Sequence, residues 1–269
     1  MSKAIFSDLD GTLLLDNHRF SKETKKIVSK TQKEGIHFVV TTGRLASDAI
    51  RQAKKLKAHK YNGFVLANNG ASAFSFKTNS FIWMMVFSNS ELETIFNFTY
   101  NKYKVHFFSN NSTYVYEFGE NSYYWSKIMK TNYYIIKDVK EITEDITHAS
   151  VIAPSSLTDQ EAQDLIETLQ KLLPQLDITQ YNNRVFELSC KGISKGSALR
   201  FLSHHLGVEI NNTYSFGDSY NDLELIRQAG VGIAVDNAID ELKKLAHQTV
   251  PSNQKNGPAK YIKEVILEK

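Results

Sequence analysis

The sequence predicts an α/β protein: a doubly wound, mostly parallel sheet core carrying an inserted α+β lobe. Three observations carry that expectation. Short apolar runs without polar alternation recur in the N-terminal part, as strands buried on both faces require. Stretches of helical spacing separate those runs, and the same grammar resumes toward the C-terminus after a middle region of different texture.

In order, the strand candidates are KAIFS (3–7), HFVVT (37–41) and FVLAN (64–68). Between them, SKETKKIVSKTQKEG opens on Ser21 as an N-cap and closes on Gly35, and ASDAIRQAKKLKA repeats apolar residues at helical spacing. This β-α-β-α-β series implies right-handed crossovers onto one sheet. The C-terminal series is SKGSALRFLSHHLG (helix), TYSFG (strand), SYNDLELIRQAG (helix), VGIAV (strand) and AIDELKKLAHQ (helix). Residues 1–85 and 185–269 are therefore expected to form one domain, and residues 86–184 the insertion. The longest apolar run, FIWMMVF (81–87), suits a strand. Within the insertion, VHFF, TYVYE and LDITQY read as strands and SLTDQEAQDLIETLQKLL as a helix. The polar stretches SNS (88–90) and YNN (181–183) flank the change of texture and are expected to be hinges.

Composition narrows the class. Hydrophobic residues at 42% and charged residues at 23% suit a soluble globular chain, neither disordered nor membrane-embedded. With 32 Lys and Arg against 29 Asp and Glu, the charge of +3 is too slight for a nucleic-acid surface. The single cysteine, Cys190, cannot form an internal disulfide, and the start of the chain lacks the regions of a signal peptide, so a cytoplasmic setting is expected. No membrane partner is expected, the slight positive charge suits small anionic substrates, and the chain is read as a monomer or weak homo-oligomer.

The chemistry concentrates in FSDLDGTLLLDN (6–17). Side chains two apart on a strand share a face, so Asp8 and Asp10 converge beyond the strand's carboxyl end. Carboxylates that close repel unless a cation lies between them, and Mg2+ with its preference for oxygen ligands resolves the conflict. Gly11 permits the sharp turn, and Thr12 is expected to hold Asp10 by a hydrogen bond. Rival motifs fail on spacing. GVGIAV (230–235) lacks the third glycine of a dinucleotide fingerprint, no nucleotide phosphate loop is present, and adjacent His204 and His205 cannot face one metal together.

Asp8-Leu9-Asp10-Gly11-Thr12-Leu13 resembles the signature of the haloacid dehalogenase superfamily, and three further segments match that family in order: TTGR (41–44), SKGSAL (194–199) and GDSYND (217–222). The insertion point, preceded by NNGA (68–71), is similar to that of the Cof-type subclass IIB phosphatases. The resemblance implies a Rossmann-like core with a C2B-type cap, and phosphoryl transfer through an aspartyl-phosphate. Asp8 is expected to be the nucleophile. Asp10 is expected to protonate the leaving oxygen and then activate water. Thr42 and the amides after it, at Gly43, can bind phosphate oxygens, while Lys195 offers a fixed charge at a helix start.

The metal site is expected from Asp8, Asp10 (through its carbonyl), Asp218 and Asp222; the last acts either through a metal-bound water or by holding Lys195. By resemblance Asn221 also approaches the phosphate. Arg44 either clamps the substrate or is a surface arginine, and Asn69 either lines the cleft or simply makes a turn. The aromatics Tyr114, Tyr116, Tyr123, Tyr124 and Trp125 are read chiefly as the insertion's own core or surface. Asp236, in VDNA where relatives often carry Met-Gly-Asn-Ala, either repels some esters or faces solvent. The functional expectation is a Mg2+-dependent phosphatase of small phosphorylated metabolites, sugar phosphates among them, with a closing cap. A phosphomutase and a silent phosphometabolite sensor are the alternatives.

Overall fold

The computed structural model describes residues 2–154, 156–182 and 184–268. Its first unit comprises Met1–Trp83 and Ser194–Lys269. In chain order this unit runs β1 (Ala4–Ser7), α1 (Lys22–Lys33), β2 (His37–Thr41), α2 (Ala46–Lys55), β3 (Phe64–Ala67), β4 (Ser72–Ser75) and β5 (Ser80–Met84). The second unit, Met84–Ile193, contributes α3 (Asn89–Thr99), β6 (Lys104–Phe108), β7 (Ser112–Val115), α4 (Glu120–Met129), β8 (Asn132–Ile135), β9 (His148–Ile152), α5 (Asp159–Leu172), β10 (Leu176–Asn182) and β11 (Val185–Cys190). The chain then returns to the first unit with α6 (Lys195–His205), β12 (Thr213–Gly217), α7 (Leu223–Gln228), β13 (Val231–Val235), α8 (Asp240–Leu245), β14 (Gln248–Val250) and α9 (Gly257–Tyr261).

Among the described residues, the first unit's sheet has the order β14-β13-β12-β1-β2-β3-β4-β5. Pairing is parallel from β14 to β3 and turns antiparallel at β3–β4. The central strands β1, β2 and β3 are mostly apolar and buried because both faces are covered. Ile5 and Leu9 pack in one cluster with Ile27 and Val28 of α1 and Ala49 and Ala53 of α2. Ala4 and Phe6, one position out of phase, pack in another with Ala198, Leu199 and Leu202 of α6. Fully burying each leucine or phenylalanine contributes about 1.5–3 kcal/mol, so the sheet is anchored from both sides. The expected α/β class is observed.

The second unit is a six-stranded sheet, β10-β11-β9-β6-β7-β8, among the described residues. Val105, Phe107, Val151, Phe186 and Leu188 pack on Leu92, Ile95 and Phe96 of α3 and on Ala162, Leu165 and Leu169 of α5. The boundary after the insertion lies later than 184/185, because β11 pairs with both β10 and β9 and so belongs to this sheet. The SNS stretch is a helix start: the Ser88 hydroxyl accepts from the Glu91 amide at 3.3 Å while Glu91 accepts from the Ser88 amide at 2.6 Å. Of YNN, Tyr181 and Asn182 end β10 and Asn183 lies outside the described residues. Tyr114 is buried in this unit's core, Tyr116 bonds Thr99 at 2.7 Å, and Tyr123 is exposed; the side chains of Tyr124 and Trp125 lie outside the description. No helix among the described residues is long and apolar enough to cross a membrane.

Candidate active site

Three adjacent strands set the site. In the order β12-β1-β2, Asp218, Asp8 and Thr42 are each the first residue beyond a strand's carboxyl end. Parallel pairing in near register therefore delivers them to one edge of the sheet, where open α/β folds bind ligands. The Asp8 amide donates to the Phe216 carbonyl at 3.0 Å, carrying the ladder to the base of the site.

Lys195 opens α6, whose start is fixed by reciprocal bonds between Ser194 and Ser197. Its ammonium, 1% exposed, donates at 2.7 Å to Asp8 Oδ1 and at 2.7 Å to Asp222 Oδ1. Asp222 is completely buried and uses Oδ2 to accept from the amides of Asp218 (3.0 Å) and Ser219 (3.1 Å). Of the two roles open for Asp222, holding Lys195 is the one with a direct contact. Thr12 donates to Asp218 Oδ1 at 2.7 Å, so its partner is Asp218 where Asp10 was expected; the turn at Gly11 carries the hydroxyl toward β12. Gly11 has φ +74, and a Cβ there would stand 2.4 Å from Asp218 Oδ2, so glycine is required both by conformation and by that carboxylate.

Carboxylate oxygens of Asp8, Asp218 and Asp222 all lie within 4.8 Å of one another. One ammonium cannot neutralise three such groups. Burial pushes the Asp8 carboxyl well above its usual range, Lys195 opposes this, and the neighbouring aspartates add to it. Burial and Asp222 push Asp218 up to about 6, against the Thr12 bond and Lys195. Lys195 itself is held in its charged form, its burial outweighed by Asp222 and Asp8. A cluster with more negative charge than its single cation can balance, and with only oxygen donors, fits a hard divalent ion.

The Asp10 side chain turns elsewhere. Arg44 grips it with two parallel bonds, Nε to Oδ2 at 2.6 Å and the second terminal nitrogen to Oδ1 at 2.5 Å. His18 Nδ1 lies 3.2 Å from the same Oδ1. Burial alone would raise the Asp10 carboxyl, but the bonds and charge of Arg44 outweigh it and hold it below the usual range. Arg44, buried, is thus neither a surface arginine nor open toward solvent. Its first terminal nitrogen donates to Asp48 Oδ2 at 2.6 Å.

Thr42 is buried, and its hydroxyl accepts from the Arg44 amide at 3.2 Å, which leaves its O–H to donate. Asn69, at φ 53, takes the left-handed conformation and accepts through Oδ1 from Asn221 Nδ2 at 3.0 Å. Gly43 makes room for that pair: a Cβ there would come within 2.7 Å of Asn69 Oδ1. Asp236 is exposed.

Sequence reasoning missed three contributors. Asp48 carried a partial signal, an acid in the first turn of α2 just after Arg44. His18 and Asn237, whose amide donates to the Gly11 carbonyl at 2.7 Å, carried none, since each reaches the loop across distant sequence or an irregular turn.

Comparison with known proteins places the chain among relatives of one kind. A family model described as haloacid dehalogenase-like hydrolase matches residues 5–262. A putative phosphatase of Haemophilus influenzae is 28% identical over 291 residues, covering 100% of both chains. A 5-amino-6-(5-phospho-D-ribitylamino)uracil phosphatase of Bacillus subtilis is 27% identical, covering 98% of this chain and 96% of that one. Among solved structures, a haloacid dehalogenase-like hydrolase from Bacteroides thetaiotaomicron superposes with a TM-score of 0.87 at 22% identity, over 98% of this chain and 100% of the other.

Proposed function

The chain belongs to the haloacid dehalogenase-like hydrolases and is an enzyme of their phosphatase type, and on that premise we propose that it hydrolyses phosphate monoesters of small metabolites, sugar phosphates among them, through an aspartyl-phosphate on Asp8. The observation that carries this reading is the buried contact of Lys195 with Asp8 inside a three-carboxylate cluster. An attack on phosphorus needs a fixed nucleophile and compensation for the charge of the phosphoryl oxygens. Asp8 supplies the first, held in one orientation through Oδ1 by Lys195.

Asp8 forms a bond to phosphorus as the bond from phosphorus to the leaving oxygen breaks. Asp10 gives that oxygen a proton, and in the second half takes a proton from the water that attacks the aspartyl-phosphate, regenerating Asp8. Its side chain is 34% exposed against 7% for Asp8, so Asp10 has access to exchangeable protons; Arg44 holds it ionised in the free site, and the negative charge of an entering phosphate favours the protonated form that donates. Thr42, the Gly43 amide, Lys195 and Asn221 bind phosphoryl oxygens, with Asn69 aligning Asn221. Asp8, Asp218 and the Asp10 carbonyl would hold Mg2+, with Asp222 behind them. The ion when bound supplies compensation for negative charge on the carboxylates and phosphoryl group. The B. subtilis relative is named for an ester on a ribityl chain, which supports phosphorylated polyols and sugars as the class to test first. The inserted unit is read as the cap from its insertion point alone.

The test is phosphate release from a panel of sugar and polyol phosphates, with Mg2+ and with chelator. Release that disappears in chelator and returns with Mg2+ is expected; release indifferent to chelator, or none from any ester, overturns the reading.

A further inference from the structure

Asp48 lies in the first turn of α2 with a completely buried side chain. A carboxylate there would be expensive without partners, and it has three. Oδ2 accepts from Arg44 at 2.6 Å; Oδ1 accepts from Arg51 and, at 3.2 Å, from Gln52 Nε2. Arg51 and Gln52 sit on the same helix, so Asp48 is fixed against a rigid element rather than a loop.

The consequence falls on Arg44. Its guanidinium side chain is 4% exposed and spans two carboxylates: one edge faces Asp10 with two bonds, and the remaining terminal nitrogen faces Asp48. A guanidinium is planar, so anchoring one nitrogen on a helix fixes the direction of the opposite edge. That edge in turn fixes the plane of the Asp10 carboxylate. The Asp10 side chain otherwise stands in the loop after β1, where His18 lies against the same Oδ1.

We infer that Asp48 is a positioning residue for leaving-group chemistry: through Arg44 it sets the orientation in which Asp10 meets the departing oxygen. The inference rests on the phosphatase reading above, in which Asp10 gives that oxygen its proton. Asp48 lies apart from the acidic cluster, and its effect on kcat/KM, which covers the steps through departure of the alcohol and leaves out the later hydrolysis of the aspartyl-phosphate, falls on the step that needs an aligned acid. Esters whose leaving group departs as a stable anion do not need that step, whereas alkyl esters do.

The experiment compares Asp48→Asn with wild type on p-nitrophenyl phosphate and on glucose 6-phosphate, both with Mg2+. Asparagine keeps the volume and an acceptor for Arg44 but removes the charge that anchors it. Because positioned acid–base groups contribute about 10²–10⁴-fold, kcat/KM on glucose 6-phosphate is expected to fall roughly 10- to 100-fold, while kcat/KM on the p-nitrophenyl ester changes by less than about threefold. Retained turnover of the activated ester also certifies that the variant is folded. Equal loss on both esters would make Asp48 merely structural and overturn the inference, as would an unchanged rate on the alkyl ester. A wild-type protein that releases phosphate from neither ester would instead overturn the phosphatase reading, and the inference with it.

Discussion

The Lys195 ammonium stands 2.7 Å from Asp8 Oδ1, and the two residues, 187 positions apart, are both removed from solvent. A lysine so placed is the counter-charge that lets a buried aspartate persist in the ionised form that the proposed mechanism needs. Replacing one partner of a buried pair leaves the other charge uncompensated, so Lys195→Met is expected to lose phosphatase activity and about 3–5 kcal/mol of stability. Urea denaturation in chelator measures the loss. Added Mg2+ is expected to restore more stability to the variant than to wild type, because the acidic cluster then lacks its internal cation.

Gly11 and Gly35 separate backbone strain from site chemistry. Both have positive φ, +74 and +79, but only at Gly11 would a Cβ collide with Asp218, and nothing lies within 4 Å of the position at Gly35. Each alanine variant is expected to lose about 1–2 kcal/mol from the left-handed conformation. Only Gly11→Ala is expected to lose activity and Mg2+ response as well. Thermal melts paired with phosphate-release assays distinguish the two.

Asn69 and Asn221 are joined at 3.0 Å across 152 residues of sequence. If Asn69 acts by aligning the Asn221 amide, the two alanine substitutions are not additive. A double-mutant cycle on kcat/KM is expected to show a coupling of about 0.5–3 kcal/mol, the double variant being little worse than either single one. Additive losses would separate the two residues.

The second unit carries its own pH dependence. Burial holds His148 down to about 3, and burial with the charge of Lys104 holds His106 down to about 4. Both are below the ordinary value near 6.5, so the unfolded chain binds the extra protons. Their stabilisation is complete above about 6.5 and is lost as pH falls toward the folded-state values. At pH 5 the loss for His148 alone is about 2 kcal/mol. His148 stacks on Phe108 with ring centres 4.5 Å apart, so His148→Phe keeps an aromatic there. Urea melts at pH 7 and pH 5 are expected to show a smaller acid loss for that variant.

Much of the fold was legible because buried parallel strands write themselves as continuous apolar runs, as AIFS and FVVT do. The proximity of Asp8, Thr42 and Asp218 followed from strand ends alone, since adjacent parallel strands finish at one edge. Partner choice within the site was not legible. Thr12 stands two residues from Asp10, its expected partner, yet beyond the turn at Gly11 it bonds Asp218. The embrace of Asp10 by Arg44 depends on how the β1 loop meets the start of α2, which no periodicity encodes. Ser88 shows the opposite lesson: its capping box was written in the sequence as Ser-x-x-Glu, yet its polarity reads equally as a linker.

The central claim, covalent capture of phosphorus by Asp8, is tested most directly by borohydride trapping. Reducing an aspartyl-phosphate converts that aspartate to homoserine, which peptide mass spectrometry locates. Protein turning over a phosphate ester is expected to carry homoserine at position 8, and protein without substrate none. Homoserine at another carboxylate, with position 8 unmodified while phosphate is released, would contradict the account.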